Sequence, residues 1–272
     1  MTDVDLPKNR QGRFYHLNCG EGDLAPYILT CGDPDRARRI AKYFDRVDVT
    51  RRNREFLTYT GSYHGIPVSV MATGIGAAAS AIAIVEAVQC LAPATFIRLG
   101  STGALQDYIN LGDLVITSEA LREENTTHFY APADLKASAH PDVLAALEEA
   151  ADSLDVRYHV GVTCTSPDFY AGQGRVVPGF PTLEPDKVAR LSREGVLNLE
   201  MEMSAYLTLA QVSTLNLRAG GACVAVNNRL RGVFAPARLF RRAEKRLIQV
   251  GLKAVEILAG KDGVKRKRKK RK

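Results

Sequence analysis

Short apolar runs that end in glycine alternate along this chain with longer stretches whose apolar residues recur at helical spacing. The run at 26–31 is rich in strand formers and is closed by Gly32. Asp33 then offers a helix cap and Pro34 a first helical position, which predicts a helix to about residue 44. Strands are predicted over 46–52, 56–63 and 66–72, with His64-Gly65 as a turn. An Ala-rich helix follows over 77–91, then a buried strand at 95–99 that stops at Gly100-Ser101-Thr102-Gly103, and a strand at 113–118. The pattern continues with a helix at 141–154, a strand at 156–163 and a Pro/Gly-rich loop over 166–185 that is expected to be mobile. A helix at 186–193, a short strand to 199, a helix at 203–215 and an all-apolar central strand at 219–226 come next. The last helix, 236–258, carries Leu239, Leu247, Ile248, Val250, Val255 and Leu258, mostly at helical spacing. Strands followed in turn by helices predict an α/β fold with three layers, α/β/α, around a mixed central sheet.

The 272 residues, 46% of them hydrophobic, suffice for one substantial core, so a single domain over 1–260 is expected. A net charge of +7 suggests nucleic acid until its location is considered. Residues 265–272 are all Lys or Arg, and without them 29 basic residues face 30 acidic ones. The body has no basic bias, which argues against nucleic-acid binding by anything but the tail. The segment 261–272 is expected to be a disordered basic tail, either a solvated end or a loose anchor for an anionic surface. Cys19, Cys31, Cys90, Cys164 and Cys223 are odd in number and widely spaced, as expected of reduced thiols in the cytoplasm. Residues 1–11 lack the apolar run of a secretion signal, and no stretch reaches the ~18 apolar residues of a membrane span.

Ligands of open α/β folds sit beyond the carboxyl ends of strands, and three such segments stand out. Gly32-Asp33-Pro34-Asp35-Arg36 joins a strand end, a helix start and a guanidinium, which suits an oxyanion, although an ordinary cap with a surface arginine has the same spacing. Arg98, near the end of an apolar strand, needs an internal carboxylate or a bound anion, and the hydroxyls of Ser101 and Thr102 between Gly100 and Gly103 favour the anion. Glu200 and Glu202 in Asn198-Leu199-Glu200-Met201-Glu202-Met203 are placed to accept from a diol, or merely to enrich a helix N-terminus in acid. Thr73-Gly74-Ile75-Gly76 lacks the third glycine of a dinucleotide loop and a Walker lysine, and reads mainly as a tight turn. The run from Asp168 to Arg175 combines Phe169, Tyr170, Gln173 and Arg175, a set that stacks on a planar heterocycle or makes a flexible loop.

Taken in order, GDPDR (32–36), NREF (53–56), ATGIG (72–76), RLGSTGA (98–104), TSPDFYAGQGR (165–175) and NLEMEMSA (198–205) resemble the uridine phosphorylases of the nucleoside phosphorylase superfamily, over about residues 14–258. The resemblance implies a nucleoside phosphorylase-like fold and a pentosyltransferase that splits a pyrimidine nucleoside with inorganic phosphate, needing neither metal nor organic cofactor. It implies a phosphate site of Gly32, Arg36, Arg98 and Ser101, with Arg54 supplied by a neighbouring subunit. Glu200, Met201 and Glu202 would hold the ribose, with His16 reaching across from the partner. Thr102, Gly103, Phe169, Gln173, Arg175 and Arg229 would surround the base, with Arg98, Glu202 and Arg175 carrying the chemistry. Purine-acting relatives place a catalytic aspartate in the segment where this chain has Asn228 and Arg229, which favours pyrimidines. Ala72 stands where some relatives use a serine for an intersubunit alkali metal, so no metal is expected. Shared pockets imply a homodimer at least, with assembly to a hexamer left open. The rival readings are a purine nucleoside phosphorylase and a catalytically silent homologue that binds a nucleoside.

Overall fold

Strand pairing in this molecule is mixed, and its long-range parallel pairs are what bring the candidate segments together. The computed structural model describes residues 4–264. In chain order the elements are β1 (Tyr27–Cys31), α1 (Pro34–Ala41), β2 (Arg46–Asn53), β3 (Phe56–Tyr63), β4 (Ile66–Ala72), α2 (Ala77–Cys90), β5 (Thr95–Ala104) and β6 (Leu114–Arg122). They continue with β7 (Ala137–Ser138), α3 (Pro141–Ser153), β8 (Tyr158–Thr165), α4 (Lys187–Arg193), β9 (Asn198–Glu200), α5 (Met203–Val212), β10 (Arg218–Asn228), β11 (Val233–Phe234) and α6 (Ala237–Lys261).

One mixed sheet holds all the strands. β1 lies parallel to both β4 and β5, β3 and β2 extend that side antiparallel, and β5 also runs parallel to β10. β10 pairs with β6, β6 with β8, β8 with β9, and β9 returns to β5. Those pairings form a ring, so half of the sheet curls into a barrel while the other half stays open. Apolar side chains cover both faces. One core cluster packs α1, α3 and α6 against the sheet, and a second packs α2 and α5 on the opposite face. Helices on both faces of a mixed sheet give the expected α/β/α layering. No described helix is long and apolar enough to cross a membrane.

The predicted boundaries differ from the observed ones in informative places. The strand expected to stop at residue 99 runs on to Ala104, because β10 pairs with it continuously from Arg218 opposite Thr95 to Asn228 opposite Ala104. Gly100-Ser101-Thr102-Gly103 is therefore strand rather than turn. The glycines answer to crowding: a Cβ on Gly100 would lie 2.6 Å from Cys223 Sγ and 3.1 Å from the Arg98 guanidinium. α5 stops at Val212 rather than 215, and α6 continues to Lys261, inside the segment expected to be disordered tail. Val264 still packs on the core, and Asp262 binds Tyr27 and Arg218, so order extends past residue 260. The run 265–272 lies outside the described residues.

Candidate active site

Asp33 caps α1 as its spacing predicts, its carboxylate accepting from the amides of Asp35 and Arg36. That cap directs the Arg36 side chain inward from the first turn of the helix. Its Nε donates to Glu244 on α6 at 2.7 Å, Nη1 to the Leu99 carbonyl at 2.9 Å and Nη2 to Ser101 Oγ at 2.7 Å. Arg39 binds the same Glu244. A buried guanidinium left without such partners would be costly, and these contacts fix its plane.

Arg98 rises from the middle of β5. Its Nε donates to Glu200 at 3.2 Å and its Nη2 to Glu202. Burial pulls its pKa down, but Glu202 and then Glu200 outweigh that and hold it above the ordinary arginine value. Glu202 also accepts from the Gly76 amide at 2.8 Å, so the ATGIG segment is more than a turn: it fixes this carboxylate, and Gly74 and Ile75 line the cavity beside it. Glu200 was expected to hold sugar hydroxyls, but its oxygens are committed elsewhere. They accept from Thr165 Oγ1 at 2.6 Å and from the amides of Glu202 and Met203, which caps α5. Burial, helped by the neighbouring charge of Glu202, pushes its carboxyl upward against the pull of Arg98.

A cavity of about 750 Å³ opens above these groups. It is lined by Gly32, Arg36, Arg98 and Ser101, by Met201 and Glu202, and by Thr102, Gly103, Phe169, Gln173 and Arg175. The structure thus gathers twelve of the fifteen anticipated residues around one space, counting Glu200. The 166–185 segment, expected to be a mobile loop, is pinned over it. Ser166 Oγ donates to the Gly172 carbonyl at 2.8 Å, Lys187 Nζ to the same oxygen at 2.5 Å, and Thr182 Oγ1 to the Arg175 carbonyl at 2.6 Å. Arg175 lies over the Phe169 ring at 4.3 Å, and burial holds its pKa down.

Arg229 sits behind Gly103, its Cγ 3.3 Å from where a Cβ of residue 103 would be, and donates to the Gln173 carbonyl at 3.0 Å. Burial first, and then the charge of Arg175, push its pKa down to about 10. His16 and Arg54 do not reach this chain's own cavity. His16 Nδ1 is 2.6 Å from buried Glu86, while Arg54, at φ 51° in the β2–β3 turn, contacts the Tyr15 hydroxyl at 3.3 Å. Asn53 binds the carbonyls of Tyr15 and His16, so the two residues belong to one surface cluster.

A family model described as the phosphorylase superfamily matches residues 26–256. The chain belongs to the phosphorylase superfamily. Within the superfamily it is 42% identical to the uridine phosphorylase of Thermococcus kodakarensis over 100% of this chain and 96% of that one. It is 34% identical to the Escherichia coli uridine phosphorylase, covering 90% of this chain and 97% of the relative. Among solved structures it resembles a Trypanosoma brucei nucleoside phosphorylase, described as showing uridine phosphorylase activity, with a TM-score of 0.86 and 27% identity over 93% and 99% of the two chains.

The sequence reading of this superfamily member missed Glu55, Gly74, Ile75 and Asn227 on the cavity wall and Glu244 beneath it. Glu244 had a legible signal: with Phe240, Ala243, Leu247, Ile248 and Gly251 it occupies the inward stripe of α6, where a carboxylate demands a buried partner. Asn227 had none, because a β-bulge between Ala225 and Asn227 decides which way it faces.

Proposed function

We propose that this protein catalyses phosphorolysis of uridine, converting it with inorganic phosphate to uracil and α-ribose 1-phosphate. The supporting observation is one cavity whose wall holds Arg36 and Arg98, Glu202, and Gln173 with Arg175. Those groups match the charges of the reaction, an oxyanion that attacks and a base that departs. Full-length identity to uridine phosphorylases supports the pyrimidine assignment.

Phosphate, held by Arg36, Arg98, Ser101 and the Gly32 turn, attacks C1′ from the face opposite the base. A phosphate oxygen forms the new C–O bond, and the C1′–N1 bond breaks with its electron pair leaving on uracil, which then takes a proton from water. Holding the nucleophile in place turns an encounter into a positioned step. The sugar passes through a state with oxocarbenium character, as glycosidic cleavage generally does. Glu202 accepts from the ribose hydroxyls and Met201 packs beside the ring, while Glu200 positions Arg98 from below. Gln173, Arg175 and Arg229 surround the base, with Phe169, Thr102 and Gly103 completing its wall. A guanidinium stays charged in proteins, so depressed pKa values at Arg175 and Arg229 mark an unmet demand for negative charge. The departing uracil anion meets that demand, which is stabilisation aimed at the transition state.

His16 and Arg54 complete the pocket of a partner subunit, so the working unit is at least a homodimer. Inorganic phosphate is the sole co-substrate in this scheme. The test is a panel of uridine, cytidine, inosine and guanosine with and without phosphate, following sugar phosphate. Uridine should disappear only when phosphate is present, with one equivalent of α-ribose 1-phosphate formed. Free ribose in phosphate-free buffer, or faster loss of a purine nucleoside, overturns the assignment.

A further inference from the structure

A second hollow, of about 380 Å³, lies apart from the active-site cavity, between the end of α1 and the first half of α6. Arg39 and Lys42 line it from the α1 side and Arg241 and Lys245 from α6, while half-buried Tyr43 and buried Ile248 supply its apolar wall. Its one carboxylate, Glu244, is already bound to Arg36 and Arg39. The side chains of Lys42, Arg241 and Lys245 have no ion pair or hydrogen bond among the described residues. Lys42 follows the last turn of α1, where a cation suits the helix dipole. No such return exists for Arg241 and Lys245. They stand four positions apart near the start of α6, where like charges repel, and the first turn of that helix holds no acidic residue to offset them.

We propose that this hollow is a second anion site, which takes a di- or triphosphate chain and thereby weakens phosphate binding in the main cavity. Three cations without partners, converging from two helices beside Arg39, exceed what one phosphate dianion balances and suit a chain of several charges. The coupling runs through Glu244, which holds Arg39 with one face and the Arg36 of the phosphate site with the other. An anion that draws Arg39 toward the hollow removes one of the two counter-charges of Glu244. Its negative charge then falls more fully on Arg36, which offers phosphate a weaker field. Linkage is reciprocal, so phosphate in the main cavity disfavours the chain in the hollow by the same factor. The site itself stands on the hollow and its cations, and only its effect on catalysis rests on the proposed phosphorolysis of uridine.

The test compares the unmodified protein with a double variant, Lys42→Ala with Lys245→Ala. Calorimetry in about 0.15 M salt, which screens diffuse attraction, measures binding of tripolyphosphate and of ATP without divalent cations. One tripolyphosphate should bind per subunit, and the double variant should bind it roughly tenfold more weakly. Tm should stay level or rise in the variant, since a repulsion is removed. ATP binding tighter than tripolyphosphate identifies a nucleotide as the source of the chain, and equal binding identifies the chain alone; either supports the site. In uridine phosphorolysis, tripolyphosphate should raise the phosphate KM about fivefold in the unmodified enzyme and leave it unchanged in the variant. Binding and inhibition that persist undiminished in the variant place the anion in the main cavity and overturn the site. Binding lost in the variant with no effect on phosphate KM in the unmodified enzyme overturns the coupling. A protein that binds tripolyphosphate as described but does not cleave uridine overturns the functional assignment and leaves the site standing.

Discussion

Replacing Glu202 by Gln keeps the shape of the side chain and removes its charge at the point where the proposed sugar and phosphate sites meet. Glu202 has one oxygen on the Gly76 amide and the other on Arg98, and each oxygen retains a lone pair free for the cavity. Hydrogen bonds to a charged partner contribute about 1.5–3 kcal/mol each. Glutamine keeps one acceptor of lower strength, so a net loss of about 2–3 kcal/mol is expected, or roughly a hundredfold in kcat/KM for uridine. 2′-Deoxyuridine lacks one of the two hydroxyls, so its loss should be nearer tenfold. The ratio between the substrates then narrows by about tenfold, which initial-rate kinetics at saturating phosphate resolve readily. Arg98 keeps Glu200 at 3.2 Å, so the variant should fold, with a lowered Tm as the sign of the weakened pair. A charge acting only through Arg98 has no means to sense the 2′-hydroxyl. Equal losses on the two substrates, or a rise confined to the phosphate KM, would refute the ribose assignment.

Lys187→Met should raise the nucleoside KM by roughly three- to tenfold with little change in phosphate KM, because Lys187 ties the Gly172 carbonyl of the base segment to Glu123; initial rates varying each substrate check this, and an effect confined to phosphate contradicts it. Asp262 is held below its usual carboxyl range chiefly by the Arg218 hydrogen bond, with Tyr27 adding to it. A depressed pKa stabilises the fold above the ordinary value of 3.8 and stops doing so as pH falls through the native value. Asp262→Asn should therefore lower Tm at neutral pH, and the gap to the unmodified protein should close as pH falls below the ordinary carboxyl value of 3.8; a gap that does not change with pH would show that the charge is irrelevant.

Local chemistry made part of this molecule legible. Asp33 and Pro34 announced α1, and the stripe from Leu239 to Leu258 announced α6, because caps and helical periods act within a few residues. Arg98 could be marked as needing a counter-charge for the same reason, although the neighbouring hydroxyls favoured a bound anion over an internal carboxylate. The structure gives it Glu200 and Glu202 within reach of an open cavity. What stayed hidden depends on distant pairing. The run-on of β5 through two glycines follows from β10, more than a hundred residues later in the chain. The link from Arg36 to Glu244 spans 208 positions. Asn227 faces the cavity only because a bulge turns it there, while Asn228, of the same residue type, is spent on a turn. Residue type located the chemistry, and register decided which copy reaches the cavity.

An arginine already paired with a carboxylate offers an anion less field, and both Arg36 and Arg98 are so paired. Arg36, Arg39 and Arg98 face Glu200, Glu202, Glu244 and Asp33, so the network beneath the cavity carries no excess of positive charge. Attraction for phosphate must then come from direction rather than from net charge. Of five guanidinium N–H groups, Arg36 commits one each to Glu244, Leu99 and Ser101, and Arg98 commits one each to Glu200 and Glu202, which leaves oriented donors on both for a ligand. The carboxylates fix those donors in advance, so little reorganisation is left for the moment of binding. A balanced network also resists filling with an arbitrary anion. In the proposed dimer, Arg54 of a partner subunit would add a positive charge to this network, and assembly would then turn an array of donors into a site that prefers a dianion.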